Sequence, residues 1–223
     1  YYLEAGTMMS RNTSSNLSPI DRIKLISGTW ESNMEKCDIT EGFLDEVEAV
    51  ELAKKQLDVY YKQGVYPYSV QIQYDNLYSY SSELYCYTDT SFNTYTAYLW
   101  KITFTKYDNS VENVIYMTES GTILLAWTNG NYSLDEYELS KFYKNVQSRD
   151  ILGDNRIYTM SSIKYMPVSS VTIPYPDVEK IQKIETGALL TIRVGGELEN
   201  FQVLQYKSET GTGFVFMPLP AGK

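Results

Sequence analysis

The chain has 223 residues, 19 basic against 28 acidic side chains, a net charge of −9 and no histidine. Without imidazole it cannot build a Ser-His-Asp or Cys-His nucleophile, and it lacks the usual ligand of zinc hydrolase and copper sites. The acidic balance, with no long Lys/Arg run, argues against a nucleic-acid partner and against adsorption to anionic lipid.

Residues 1–35 read as a leading segment. The run from Ser10 to Pro19 is polar and turn-rich, and 20–26 has room for one or two helical turns before Ser27-Gly28. The chain opens Tyr1-Tyr2-Leu3-Glu4 without an initiator methionine, so the expectation is a longer gene product with an amino-terminal anchor or a removed leader.

The first strong element is a helix over 45–63. Asp45 and Glu48 have capping-box spacing, Val50, Ala53, Leu57 and Tyr60/Tyr61 form one apolar stripe, and Gly64 is the stop. The period then becomes two, in Val70-Ile72-Tyr74, in the run 77–87 and in Tyr98-Trp100-Ile102-Phe104. Asp108-Asn109-Ser110 breaks the chain. Strands at 113–118 and 122–128 then flank the hairpin loop Glu119-Ser120-Gly121. One helix followed by an antiparallel meander is the expected first unit, 36–130.

The expected second unit is 131–223. Ser133 and Glu136 repeat the capping box, ahead of a helical stripe of Leu139, Phe142, Tyr143 and Val146. Strands are expected at 156–164, 168–173, 188–194, 201–206 and 214–217. Gly195-Gly196 and Gly211-Thr212-Gly213 lie between strands with no helix after them, and so read as turns and not as phosphate loops. The fold class is therefore α+β, with two similar-sized units, an antiparallel sheet in each, and the 45–63 helix packed on the first. The longest uncharged stretch, 120–134, has an apolar block of only Ile123-Leu124-Leu125-Ala126-Trp127, against the roughly 20 residues a membrane helix needs.

Tyrosine is over-represented: 22 residues, against 7 phenylalanines and 3 tryptophans. Between Lys62 and Asp89 only Asp75 and Glu83 are charged, while Tyr66, Tyr68, Tyr74, Tyr78, Tyr80, Tyr85 and Tyr87 crowd together. Tyrosine enrichment with charge depletion marks an interface core, and it also suits an ordinary half-buried strand. The candidate binding residues are Tyr78, Tyr80, Tyr85 and Tyr87. Each pair shares a face, and the two pairs share one face only if a bulge at Ser81-Ser82 shifts the register.

Other motifs carry less. Ser161-Ser162-Ile163-Lys164 fits the Ser-x-x-Lys of penicillin-binding enzymes, but its surroundings read as strand and no Lys-Thr-Gly accompanies it. The pairs Asp45/Glu48 and Asp135/Glu136 fall in first turns of helices, where negative charge suits the helix dipole. Cys37 and Cys86 are the only cysteines. They could close a loop of roughly 50 residues worth on the order of 3–4 kcal/mol, or remain as part-buried thiols. No catalytic residue, metal site or cofactor is assigned.

The pieces Val50-Glu51-Leu52-Ala53, Tyr98-Leu99-Trp100-Lys101-Ile102-Thr103-Phe104 and Ile115-Tyr116-Met117-Thr118-Glu119-Ser120-Gly121-Thr122-Ile123-Leu124 resemble a PepSY-type domain of Gram-positive extracytoplasmic proteins. Ser120 stands at that family's usual threonine, and Met117 where aspartate is common. The resemblance covers about a third of the chain. It implies a propeptide, a peptidase inhibitor or a membrane-anchored accessory protein of a cell-wall two-component system. The resulting expectation is a non-catalytic binding or regulatory domain at the cell surface, tethered or secreted. Its partner would be another protein, such as a membrane-bound sensor or a peptidase, with the membrane reached only through the anchor. The alternatives are an enzyme acting on wall glycan or peptide through carboxylates, and a carbohydrate-binding module.

Overall fold

The structure is a computed structural model and describes residues 17–38, 44–70, 78–88, 96–130, 158–165, 181–194 and 196–219. Helix α1 is Pro19–Asn33, longer than the one or two turns expected. Ser18 caps it: the Asp21 N–H donates to the Ser18 hydroxyl at 3.1 Å, and that hydroxyl donates to the Asp21 carboxylate at 2.6 Å. Pro19 occupies the first helical position, where its missing N–H costs nothing. Gly28 is not the stop. It faces open space, and a solvent-facing helix glycine costs only about 1 kcal/mol, which the buried stripe of Ile20, Ile23 and Ile26 outweighs.

After the three-residue β1 (Met34–Lys36) comes helix α2, Glu46–Lys62, bounded as its sequence predicts. Asp45 accepts from the Glu48 N–H at 2.8 Å and Glu48 accepts from the Asp45 N–H at 3.0 Å, a complete capping box. At the other end the Gly64 N–H donates to Tyr61 O and the Val65 N–H to Tyr60 O, with Gly64 at φ +77. That is the Schellman pattern, and the buried Tyr60 and Val65 supply its apolar contact. Beyond it, Ser69 donates to Asp58 at 3.0 Å and the Tyr66 hydroxyl donates to Asn113 Oδ1 at 2.8 Å. The chain leaving α2 is thereby pinned to the sheet.

The remaining strands among the described residues are β2 (Tyr78–Thr88), β3 (Thr96–Lys106), β4 (Glu112–Thr118), β5 (Ile123–Thr128), β6 (Tyr158–Tyr165), β7 (Ile181–Val194), β8 (Glu197–Ser208) and β9 (Thr212–Pro218). They form one antiparallel sheet in the order β1-β2-β3-β4-β5-β9-β8-β7-β6, eight full strands and the short β1 at one edge. The sequence suggested a sheet in each half. Instead β5 pairs with β9, Leu125 opposite Val215 and Ala126 opposite Phe214. The cause lies in these two strands: β5 is buried at every residue and β9 at all but its last. An edge position would expose apolar side chains and unpaired backbone together.

Helix α2 covers this seam as well as the first half. Tyr60 packs on Phe214 of β9, ring centroids 5.2 Å apart, and a Cβ added to Gly121 would come within 3.1 Å of Leu52. Gly121 has φ +90, so the β4–β5 turn needs its glycine twice over. Helix α1 reaches the same turn: Arg22 Nε lies 2.9 Å from Glu119 Oε1, and both side chains are nearly buried. The strand expected through Ile72 and Tyr74, the helix through Leu139 and Phe142, and the strand at 168–173 lie outside the described residues.

Candidate functional site

Two features of the first half converge on one cleft. The capping box sets where α2 begins, and this puts the Glu46 carboxylate over β2, accepting from the Ser82 hydroxyl at 2.8 Å. On the other side β1 pairs with only the end of β2, Glu35 opposite Cys86 and Lys36 opposite Tyr85. The Cys37 N–H then donates to Leu84 O at 3.0 Å. Between them lies an open cleft of about 420 Å³, lined by Lys36, Cys37, Asp38, Glu46, Ser82, Glu83, Leu84 and Trp100. Leu84 and Trp100 face each other across the β2–β3 ladder and form its apolar floor. The volume suits a side chain or a small ligand.

The rim is charged. Lys36 and, at 3.7 Å, Lys101 pair with Glu83, and the Tyr85 hydroxyl donates to Glu83 Oε2 at 3.0 Å. The hydrogen bond from Lys36 comes first in holding the Glu83 carboxyl below the usual carboxylate range, ahead of the Tyr85 hydroxyl and Lys101. Glu46 stands over the cleft floor, whereas Glu83 has the parity of Tyr85 and turns its carboxylate to the other face of the sheet, so the two do not face each other as the carboxyl pair of a carboxylate hydrolase must. A general acid in such an enzyme needs its pKa raised, and the shift at Glu83 is in the opposite direction.

The four tyrosines do not form one platform. The β2–β3 register runs unbroken from Tyr78 to Thr88, without a bulge at Ser81-Ser82, so Tyr78 and Tyr80 point to one face and Tyr85 and Tyr87 to the other. Tyr85 is 2% exposed and Tyr87 0%, and both belong to the core. Tyr78 is half-buried, edge-on to Phe104 at 6.5 Å. Tyr80 is 46% exposed and lies on the cleft side of β2 with Ser82.

Its neighbours Ser79 and Ser81 are also exposed. Among the described residues only β1 pairs with the outer side of β2, and it stops at Leu84. The Leu84 carbonyl points outward to Cys37. By alternation the N–H and C=O of Ser82 and Tyr80 point outward as well, while those of Ser81 and Ser79 face β3. Val47, next in sequence to the Glu46 that bonds Ser82, is 60% exposed. The cleft residues were not legible as a set, because β1 is too short to show a period. The one available signal was Glu83, the single charge in the run 77–87.

Ser161 and Lys164 of the Ser-x-x-Lys motif lie within strand β6, not at a helix start. Asp45 and Glu48 are the capping box of α2, and Asp135/Glu136 lie outside the described residues. Among the described residues no group of three His, Cys, Asp or Glu side chains is placed to hold a metal ion, and no helix is long and apolar enough to cross a membrane. No known protein family, no curated protein and no solved structure matches the chain.

Proposed function

We propose that this chain is a non-catalytic, extracytoplasmic binding and regulatory domain of a membrane-anchored bacterial protein, and that it holds its partner protein at the outer edge of β2. The partner, a membrane-bound sensor or a peptidase, adds an extended segment alongside residues 78–83 and places a side chain in the cleft beside Trp100. The observation that carries this reading is the outer side of β2, with backbone groups of Tyr80 and Ser82 directed away from the sheet next to an apolar-floored cleft. Strand addition uses such an edge: main-chain hydrogen bonds give affinity, and a neighbouring pocket gives specificity.

The helix-then-meander order of α2 and β2 to β5 is in keeping with the PepSY-like resemblance. The strand order runs outward from the β5–β9 seam as two four-stranded meanders, which supports two similar α+β units sharing one sheet. The anchor, the cell-surface location and the class of partner rest on the sequence reading.

A photo-crosslinking residue at position 80, with position 198 as an equally exposed control on β8, tests the proposal in cells carrying the full-length gene. Leu198 is 53% exposed. The expected result is a discrete adduct with one membrane-associated protein from position 80 and none from 198. Equal labelling from both positions, or none from 80, refutes it.

A further inference from the structure

Cys37 and Cys86 are separated by 49 positions in sequence, and the sheet brings them together. Cys86 stands opposite Glu35 in the β1–β2 ladder, and Cys37, just past the end of β1, hydrogen-bonds to Leu84. Cys37 is therefore diagonal to Cys86, and the alternation of the strands turns both side chains to the cleft face. Both thiols are half-buried and unbonded, and each is the largest influence on the other's ionisation, raising Cys37 and lowering Cys86.

We propose that Cys37 and Cys86 are a dithiol site that closes reversibly into a disulfide by exchange with a low-molecular-weight disulfide. In the first step the Cys86 thiolate attacks one sulfur of the oxidant RS–SR. A Cys86–SR bond forms, the RS–SR bond breaks, and RS⁻ leaves. In the second step Cys37 loses its proton to solvent and attacks the Cys86 sulfur, forming the Cys37–Cys86 bond and expelling the second RS⁻. Both RS⁻ groups take up protons. The protein loses two hydrogens and two electrons, and RS–SR becomes two RSH.

The two roles follow from the environments. The hydrogen bond from Cys37 is the main influence lowering Cys86, to about 7, whereas Cys37 is pushed up by that same bond, by burial and by Cys86, Asp38 and Glu35. Cys86 is thus the thiol able to attack near neutral pH. In a regular ladder a diagonal pair has Cα atoms roughly 7–8 Å apart. A relaxed disulfide needs about 4.4–6.8 Å. Closing the bond therefore draws Cys37 toward β2. A bond made with such a shift is the reducible kind, in keeping with a site that reopens.

The test is incubation of the full chain with oxidised glutathione, followed by maleimide trapping and intact mass. Wild type is expected to lose both reactive thiols and two mass units, to give one cross-linked Cys37–Cys86 peptide, and to recover both thiols with dithiothreitol. Cys37→Ala is expected to stop as a stable glutathione adduct on Cys86. Cys86→Ala, which removes the main influence raising Cys37, is expected to stop as a glutathione adduct on Cys37 with no intramolecular bond. Adducts that accumulate on wild type without closing, disulfide-linked dimers as the main product, or no reaction over hours each overturn the proposal.

Discussion

Replacing Arg22 by methionine tests how α1 is held on the sheet. Arg22 and Glu119 are 12% and 9% exposed, with Nε and Oε1 2.9 Å apart. At an effective dielectric of about 20, two unit charges at that distance attract by about 6 kcal/mol. Most of that attraction only offsets the cost of taking both groups out of water, so the intact pair contributes little net stability. Removing one partner leaves Glu119 buried beside an apolar side chain, which costs about 3–5 kcal/mol. Methionine keeps the length of the arginine stem, so lost packing is a minor part of the change. Urea unfolding followed by tyrosine and tryptophan fluorescence is the assay. The account predicts that Arg22→Met lowers stability by about 3–4 kcal/mol, and that adding Glu119→Gln to it recovers at least about 1.5 kcal/mol of the loss. A single-mutant loss below about 1 kcal/mol, the range of solvated pairs, would refute the reasoning.

Three further outcomes follow from the geometry. Tyr66→Phe removes the donor to Asn113 Oδ1 and to the Trp127 carbonyl inside the core, and chemical denaturation should show a loss of about 1–3 kcal/mol. Gly211→Ala places a Cβ 2.0 Å from the Thr128 carbonyl oxygen, so the β5–β9 seam must part; a loss of about 3 kcal/mol or more is expected, and an unchanged melting temperature would contradict the close approach. The Cys86 thiol is lowered to about 7, so its alkylation rate should rise with pH and reach half its plateau near pH 7. In Cys37→Ala that midpoint should move upward, since the hydrogen bond favouring the thiolate is gone.

Local chemistry was easy to read from the sequence and long-range pairing was not. Asp45, Glu48 and Gly64 mark both ends of α2 because each acts on backbone groups within one turn of itself. Ser18-Pro19 and Asp21 carry the same kind of signal for α1, hidden by the polar run before them and by Gly28 within the helix. The 188–194 alternation reveals only half of β7. Register shifts at Ile181/Lys183 and Ile184/Thr186 break the period of two in the rest. Nothing local in β5 says that its neighbour is β9, although an apolar run with no polar face hints that both sides must be covered. The tyrosines turned on parity alone. Without a bulge at Ser81-Ser82, Tyr85 and Tyr87 enter the core and Tyr80 remains at the edge. The cleft and the thiol pair both depend on β1, whose three residues have no pattern to detect.

A pair of proline substitutions tests the β2 edge most directly. Tyr80 directs its N–H outward and Ser81 directs its N–H to β3, so Tyr80→Pro removes a donor from the edge and Ser81→Pro removes one from the β2–β3 ladder. The readout is the adduct formed in cells by a photo-crosslinking residue at exposed position 47, next to the Glu46 that bonds Ser82, together with the melting temperature of each purified variant. The account predicts that Tyr80→Pro reduces the adduct at least tenfold while the melting temperature stays within about 3 °C of wild type, less than the loss of a ladder bond would give. Ser81→Pro should lower the melting temperature by about 6–12 °C, from a cost near 3 kcal/mol. A full-strength adduct from the Tyr80→Pro protein would contradict docking by strand addition at β2.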